Sequence, residues 1–245
     1  MNLDCIALAL DFSAEDKVID LLKSLNPKPS ILKIGLELCS VFGIERAVEL
    51  CKAHSPNSKI FLDLKLHDIP NTVGKTILGI KNNFGTDVNY LTVHTLGGAE
   101  MIKASVEAGV GKITIIGVSV LTSHSAENFR NDFGIDLGTL SKKLLKVGVD
   151  NGLKWFVSSP QEIISIKASY PSVKLVTPGI RKEGASLQDQ KRVATPRRAL
   201  ELGADMLVLG RSITQAENPN SSWIELIQEV EDTKRSLETK KIADC

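Results

Sequence analysis

The amino-acid sequence predicts an α/β protein folded as a single-domain (β/α)8 TIM barrel, and three observations favour this fold. Eight short apolar runs each precede a segment with helical periodicity. The length of 245 residues is close to the roughly 250 typical of such barrels. No linker rich in proline, glycine or serine divides the chain. These observations favour one closed barrel over two small domains or an open doubly wound sheet.

The predicted strands are apolar runs that end beside polar or charged residues. They cover residues 5–10, 31–34, 60–66, 90–93, 113–118, 155–157, 174–176 and 206–209. The fifth run is the clearest strand, because it is rich in β-branched residues and follows Gly111.

The predicted helices follow the strands in turn. They cover residues 14–25, 44–53, 69–81, 100–108, 137–151, 160–169, 196–202 and 223–237. Ser13 suits a helix N-cap, Pro70 suits a first helical turn, and Gly203 suits the position just after a last turn. We expect one barrel domain over residues 1–239 and a frayed tail over residues 240–245.

Composition and charge exclude several classes of partner. The net charge is +1, so no overall field attracts nucleic acid or an acidic membrane surface. No apolar run approaches the length of a membrane span, and the first residues are not a basic segment followed by an apolar core. We therefore expect a cytoplasmic protein that binds neither nucleic acid nor a membrane.

The cysteines and histidines do not indicate a metal site. The four cysteines have no C-x-x-C spacing, and the four histidines are scattered along the chain. We therefore expect neither a structural zinc site nor a disulfide framework.

The third predicted strand has an unusual pattern. If residues 60–66 are extended, three leucines share one face, and Phe61, Asp63, Lys65 and His67 share the other. The charged face of an edge strand in water would explain the two charges taken alone. Against a packed interior, however, ionised groups cost several kcal/mol unless they are paired or hydrogen-bonded. An acid and a base held on one inner face would therefore indicate a functional site.

A closed barrel also predicts where that site lies, because active sites of such barrels form at the C-terminal ends of the strands. The polar residues expected there are Asp11, Lys33, Asp63, Lys65, His94, Ser119, Thr177, Gly210 and Arg211. Two loops at this end, residues 119–136 and 179–195, are long enough to be candidate lids.

A phosphate site is predicted at the last two strands. The backbone N–H groups of Gly210 and Arg211 follow strand eight, where barrels of this class commonly hold a phosphate. Arg181 follows strand seven and could clamp the same anion. Gln190 could add an amide contact from the long loop. The alternatives are that the arginines lie on the surface and that Gln190 is an ordinary exposed loop residue.

Several motifs together resemble the orotidine 5′-monophosphate decarboxylase family, in its compact monofunctional bacterial-type form. They are Ala9-Leu-Asp11, Leu32-Lys-Ile-Gly35, Asp63-Leu-Lys-Leu-His-Asp-Ile-Pro-Asn-Thr72, Val120-Leu-Thr-Ser123, Thr177-Pro-Gly-Ile-Arg181, Asp189-Gln190, Val193-Ala-Thr-Pro196 and Leu209-Gly-Arg211. The resemblance implies decarboxylation of orotidine 5′-monophosphate to UMP, the last step of new pyrimidine nucleotide synthesis. It also implies a homodimer that uses neither a metal nor an organic cofactor.

The resemblance further implies the catalytic residues. Lys65 would donate the proton to C6 of the pyrimidine, and Asp63 would lie beside the substrate carboxylate. Lys33 and Asp68 would complete an alternating array of lysines and aspartates. Asp68, together with Thr72, would reach across the dimer interface into the partner's site.

The resemblance implies substrate contacts as well. Asp11 would bind the ribose hydroxyls, and Thr122 would bind the pyrimidine edge. Lys33 would contact the substrate as well. The phosphate would be held by the residues expected at its end of the barrel, namely Arg181, Gln190, Gly210 and Arg211. His67 and His94 are expected to pack rather than to touch the ligand.

Two other readings stay open from the residues alone. One is a magnesium-dependent sugar-phosphate lyase of the same superfamily, which would share the Asp-x-Lys-x-x-Asp pattern. Those relatives carry an acid near the end of strand two, where this chain has Lys33, a cation that would repel Mg²⁺. The other is a non-catalytic nucleotide-binding protein on the same fold, since a fold does not fix a function.

Overall fold

The structure is a computed structural model that describes residues 4–85, 87–181 and 194–243, with side chains up to residue 239. Within these residues, eight parallel strands pair in chain order, and the last pairs with the first to close a barrel. The strands are β1 (Ile6–Leu10), β2 (Ile31–Gly35), β3 (Lys59–Leu66), β4 (Val88–His94), β5 (Thr114–Val118), β6 (Trp155–Val157), β7 (Lys174–Thr177) and β8 (Met206–Leu209). The predicted (β/α)8 fold is confirmed.

The helices of the described residues surround this barrel. They are α1 (Glu15–Ser24), α2 (Leu36–His54), α3 (Pro70–Asn83), α4 (Gly98–Gly109), α5 (Ala126–Phe133), α6 (Leu137–Asp150), α7 (Ile163–Ser169), α8 (Pro196–Leu202), α9 (Arg211–Thr214) and α10 (Pro219–Ala243), with a 3₁₀ turn at Thr95–Gly97. None of the helices in the described ranges combines the length and the apolar character needed to cross a bilayer.

Three helical segments differ from the sequence prediction. Helix α2 begins at Leu36 rather than near residue 44, and Gly43 (φ 77°, ψ 162°) interrupts it with a kink that only glycine adopts readily. Helix α5 lies inside the long loop predicted at residues 119–136. Helix α10 begins at Pro219 and continues to Ala243, past the predicted end near residue 237.

The strands separate two apolar layers, as their alternating side chains require. Outward residues such as Leu8, Leu10 and Leu62 pack against the helices in the main core. The inner layer is smaller and consists of Ala7, Ala9, Ile31, Phe61, Ile116, Val176, Met206 and Val208, with Tyr90, Trp155 and Val157 packed against them. The apolar interior therefore fills the lower barrel and leaves the carboxyl ends of the strands for polar side chains.

The pairing of β3 with β4 contains a bulge at this polar end. Leu62 pairs with Leu91 and Leu66 pairs with Val93, so three residues of β3, 63–65, lie opposite the single residue Thr92. Lys65, in the bulge, has φ 49°, the one positive φ of a non-glycine residue in the described chain. The bulge therefore places Asp63 and Lys65 in an irregular stretch of backbone at the mouth of the barrel.

Candidate active site

A cavity of about 740 Å³ opens at the carboxyl ends of the strands. Its polar and charged lining residues are Asp11, Lys33, Glu37, Asp63, Lys65, Thr122, Ser123, Arg181, Arg211, Thr214 and Gln215. Gly210 and the apolar side chains Phe61, Val118, Val157, Val176 and Val208 also line it. The site therefore lies where the barrel fold predicts it.

Four charged side chains form a chain of alternating sign across the cavity. The Lys65 Nζ atom lies 2.9 Å from Asp63 Oδ1. The second carboxylate oxygen, Asp63 Oδ2, lies 3.4 Å from Lys33 Nζ. Lys33 Nζ in turn lies 3.4 Å from Asp11 Oδ1. The same four residues were expected at the strand ends, and the structure brings them into one array.

Strand register explains why these residues meet. Lys33 on β2 pairs with Ala9 on β1 and with Phe61 on β3, so the next inward positions on β1 and β3 are Asp11 and Asp63. The side chain of Lys33 is only 10% exposed. A buried ammonium is costly unless it is paired, and the two aspartates supply an anionic partner on each side.

The backbone of Gly35 allows this close packing. A Cβ atom at Gly35 would lie 3.0 Å from Asp11 Oδ1 and 3.3 Å from Lys33 Nζ. A methyl group there would therefore press on the Asp11–Lys33 ion pair. The absence of a side chain at this position leaves room for the charged array.

Asp63 contacts more polar and charged groups than any other member of the array, namely Lys33, Lys65 and Thr92. Burial opposes its ionisation, but the ammonium groups of Lys33 and Lys65, with hydrogen bonds from Lys65 and Thr92, hold the pKa of Asp63 below its ordinary value. Asp63 is therefore an anion at neutral pH, and it fixes the position of the Lys65 ammonium.

Thr92 is not among the site residues that the sequence predicts. Its hydroxyl donates to Asp63 Oδ1 over 3.0 Å and accepts the Lys65 backbone N–H over 2.8 Å. The alternation of β4 contained a signal, because Tyr90, Thr92 and His94 share one face of a strand whose neighbour carries Asp63. That signal indicated a polar inward residue but not its contacts.

Arg181 and Arg211 lie on another side of the same cavity. Burial lowers the pKa of the Arg181 guanidinium, and the like charge of Arg211 lowers it further. Two guanidinium groups close enough to repel one another form a site that an anion would stabilise. Gly210 lines the same cavity next to Arg211. Gln190, the fourth residue predicted at the phosphate, lies outside the described residues.

Thr122 reaches the cavity from the loop after β5. A partly buried hydrogen-bond network holds the start of this loop. Ser119 lies 3.3 Å from Ser141 on α6, and Ser141 donates to Glu162 Oε1 over 2.8 Å. The other oxygen of Glu162 accepts from Ser159 over 2.6 Å. The loop that carries Thr122 is thus tied to α6 and to the loop after β6.

Two predicted site residues do not line the cavity of their own chain. Asp68 is exposed, and its carboxylate accepts the Ile69 N–H over 2.7 Å. Thr72 is exposed in the first turn of α3. Since both were expected to act in a partner's site, their position in a single chain leaves that role a prediction.

His67 and His94 stack against one another outside the cavity lining. Their ring centroids lie 5.4 Å apart, with 25° between the planes. His94 Nδ1 accepts the Leu96 N–H over 3.3 Å. Burial, and then the nearby His67 and Lys65, lower the pKa of His94. His67 was expected on the same face as Asp63 and Lys65, but it lies beyond the end of β3 and is exposed.

Fold and cavity together define a (β/α)8-barrel protein with a charged site at the carboxyl ends of its strands. A sequence model described as "Orotidine 5′-phosphate decarboxylase / HUMPS family" matches residues 5–226. The chain therefore belongs to the orotidine 5′-phosphate decarboxylase / HUMPS family, and the resemblance found in the sequence motifs is confirmed.

Individual relatives agree with this family. The chain is 38% identical over 242 residues to orotidine 5′-phosphate decarboxylase of Syntrophomonas wolfei, covering 93% of this chain and 98% of the relative. It is 40% identical over 235 residues to the protein of the same name from Carboxydothermus hydrogenoformans, covering 92% and 95%. The crystal structure of orotidine 5′-phosphate decarboxylase from Lactobacillus acidophilus is similar to this fold with a TM-score of 0.75 at 30% identity, covering 92% and 98%.

Proposed function

We propose that this protein decarboxylates orotidine 5′-monophosphate to UMP and CO₂, the last step of new pyrimidine nucleotide synthesis, without a metal or an organic cofactor. The observation that carries the proposal is the Asp11–Lys33–Asp63–Lys65 array in the cavity of a chain from this family. We assign the catalytic domain to residues 1–239. The location of the protein in the cytoplasm stays a prediction.

Lys65 supplies the chemistry that the reaction needs. Decarboxylation breaks the bond between C6 and its carboxylate and leaves the electron pair on C6, where no ring carbonyl is placed to absorb it. An ammonium beside C6 stabilises this charge and then donates its proton to the carbon. The products are CO₂, UMP and a neutral lysine, which regains a proton from water.

Asp63 has two roles in this mechanism. Its ion pair holds the Lys65 ammonium at 2.9 Å, so the donor needs no reorientation during the reaction. Its negative charge would also repel the carboxylate of the bound substrate. It would not repel the product CO₂, which is neutral. Lys33 balances the same aspartate from the other side and, with Asp11, offers groups for the ribose hydroxyls.

The phosphate supplies binding energy away from the reacting carbon. Enzymes lower reaction barriers by about 8–23 kcal/mol, and one ion pair cannot provide the upper part of that range. Contacts of Arg181, Gln190, Gly210 and Arg211 with the phosphate would provide energy that holds the substrate against the charged array. Thr122 would contact the pyrimidine edge and set its orientation.

Lys33 favours this activity over a magnesium-dependent sugar-phosphate lyase. Its ammonium already lies 3.4 Å from a carboxylate oxygen on each side. A divalent cation at the same carboxylates would meet a fixed positive charge. Lysines of the chain itself already balance the charges of Asp11 and Asp63, so these carboxylates do not need a metal ion.

The active form of this proposal is a homodimer in which Asp68 and Thr72 complete the partner's site. Next to Asp68, Ile69 is 65% exposed, and Leu96 is 54% exposed. The stacked rings of His67 and His94 bring these two segments together. An exposed apolar surface beside a functional acid is typical of a surface that another subunit covers.

The test is an absorbance assay of the purified protein with orotidine 5′-monophosphate in the presence of excess EDTA. We expect turnover to UMP that EDTA does not reduce. Lys65→Ala is expected to lose nearly all turnover while it keeps the melting temperature and UMP binding of a folded barrel. Activity that EDTA abolishes and Mg²⁺ restores would favour the lyase instead. Substantial turnover by Lys65→Ala would remove Lys65 as the proton donor.

A further inference from the structure

The bulge in β3 leaves the backbone N–H of Lys65 without a regular ladder partner. Three residues of β3, 63–65, face the single residue Thr92 of β4. A buried N–H without an acceptor is costly, so such a bulge needs a polar group to replace the missing ladder bond. The hydroxyl of Thr92 accepts this N–H over 2.8 Å.

The same hydroxyl orients the carboxylate beside it. Its proton goes to Asp63 Oδ1 over 3.0 Å, and that oxygen also accepts from Lys65 Nζ over 2.9 Å. Thr92 thus joins the backbone of Lys65 to the acid that holds the ammonium of Lys65. Thr92 is fully buried, with 0% exposure, so its hydroxyl makes these two bonds away from water.

The conformation of Lys65 makes this connection important. A φ of 49° lies in the left-handed region, which a residue with a side chain adopts only when its surroundings hold it there. The Thr92 hydroxyl is the group that binds the backbone of Lys65 from the neighbouring strand. Without it, Lys65 could relax toward an extended conformation and carry its ammonium away from its present position.

We propose that Thr92 is a positioning residue for the decarboxylation: its hydroxyl holds Lys65 in the left-handed conformation and Asp63 in the orientation that aims the ammonium into the cavity. This inference rests on the proposed function. Thr92 does not line the cavity and acts through Lys65 and Asp63. Its loss should therefore affect the reacting step rather than substrate binding.

Thr92→Val tests this role, because valine keeps the branched shape and removes the hydroxyl. We expect kcat to fall on the order of 10- to 100-fold, since a displacement near 1 Å of a reacting group can have an effect of this size. We expect KM for orotidine 5′-monophosphate and the affinity for UMP to stay within about twofold, because the cavity lining is unchanged. Thr92→Ser keeps the hydroxyl and should retain kcat within a few-fold of the wild type.

Thr233→Val is the matched control. Thr233 is also buried, and its hydroxyl donates to Glu229 O over 2.7 Å in α10, outside the cavity. It tests whether the loss of any buried threonine hydroxyl lowers kcat, and we expect wild-type kinetics. If Thr92→Val does not fold, Thr92→Ala replaces it with the same expected split between kcat and KM.

The outcomes separate this inference from the proposed function. A wild-type protein without decarboxylase activity would overturn both. If the wild type is active, the Thr92 role is overturned by a folded Thr92→Val with wild-type kcat, by a rise in KM at constant kcat, or by a Thr92→Ser as impaired as Thr92→Val. A fall in kcat that serine rescues and Thr233→Val does not reproduce would support it.

Discussion

The Nζ atom of Lys33 lies 3.4 Å from Oδ2 of Asp63, and this contact couples the middle two members of the charged array. Lys33 is buried, and it shares its charge between Asp63 and Asp11. Removing a buried partner leaves the remaining charge without compensation, which is more costly than losing a surface ion pair. The stability of the barrel and the ionisation of Asp63 should therefore depend together on Lys33.

Lys33→Met tests this coupling. We expect a loss of about 2 kcal/mol in the free energy of unfolding at neutral pH, less than the full cost of a broken buried pair because Asp63 retains Lys65. The lowered pKa of Asp63 stabilises the native state above its ordinary value of 3.8, and this contribution is lost as the pH falls through the folded-state pKa. Denaturant titrations from pH 7 into the acid range should thus show the difference from wild type shrinking with falling pH.

Lys167→Met is the control for that experiment. Lys167 lies 2.7 Å from Asp205 in an ion pair outside the cavity. It should lose stability without losing decarboxylase activity, whereas Lys33→Met should lose both. A Lys33→Met protein with wild-type stability at every pH would contradict the coupling.

Gly35→Ala should impair activity more than stability. The backbone of Gly35 has φ −98°, which alanine adopts easily, so the cost is steric. The added methyl would lie 3.0 Å from Asp11 Oδ1 and would shift the ends of two flexible side chains rather than the backbone. We expect kcat/KM to fall on the order of 10-fold with the melting temperature nearly unchanged. Gly79→Ala in α3, where a Cβ would meet nothing within 4 Å, should leave kcat/KM unchanged and should raise the melting temperature slightly, because alanine favours a helix more than glycine does.

Much of this site could be predicted from the sequence because strand alternation and barrel topology are strong constraints. Once Asp11, Lys33, Asp63 and Lys65 were assigned to strand ends, parallel pairing required them to meet. The segment before Gly43 is harder to predict. The kink at Gly43 breaks the helical periodicity, so the apolar residues on its two sides do not form one continuous pattern. The sequence therefore does not predict the first half of α2.

The bulge at Lys65 could not be predicted from periodicity, for a simple geometric reason. Two extra residues of β3 are inserted between the pairs Leu62–Leu91 and Leu66–Val93. An even insertion preserves the alternation of faces, so the leucine pattern stays regular across the bulge. The contacts of Thr92 with Lys65 and Asp63 depend on this insertion, which the leucine pattern does not reveal. His67 is exposed one residue after β3, where the alternation of the strand no longer applies.

Arg211→Ala should weaken binding of the phosphate specifically. A charge-assisted hydrogen bond contributes about 1.5–3 kcal/mol, so the Kd for UMP should rise roughly 10- to 150-fold. The Kd for uridine, which lacks the phosphate, should not change. Calorimetric titration of both ligands separates the two cases. Arg181→Ala should behave in the same way, because the two guanidinium groups line one cavity.

The control is Arg46→Ala, since Arg46 pairs with Glu15 outside the cavity. Equal weakening of UMP and uridine by Arg211→Ala would mean that Arg211 supports the fold of the site rather than the phosphate.

Mixing two inactive variants tests whether Asp68 acts across the interface. Lys65→Ala and Asp68→Ala should each lack turnover, and a heterodimer of the two should contain one site with both residues intact. With random exchange of equal amounts, about half of the dimers are mixed, so the mixture should regain about a quarter of wild-type activity. Native mass spectrometry measures heterodimer formation in the same samples. Heterodimers without activity would place Asp68 in the site of its own chain.

His94 should make the stability of the barrel depend on pH in the mildly acid range. Burial, with the nearby His67 and Lys65, lowers the pKa of His94, so the unfolded chain takes up a proton at a higher pH than the folded one. The native state is then fully stabilised above the ordinary value of 6.5 and loses stability as the pH falls below it toward the folded-state pKa. Protonation of Nδ1 would also remove the acceptor of the Leu96 N–H, which lies 3.3 Å away.

His94→Gln should therefore flatten the decline in the free energy of unfolding between about pH 6.5 and pH 5. His54→Gln, at the end of α2, serves as the control for the loss of an imidazole elsewhere. Parallel pH profiles for wild type and His94→Gln would show that His94 is not responsible for the decline.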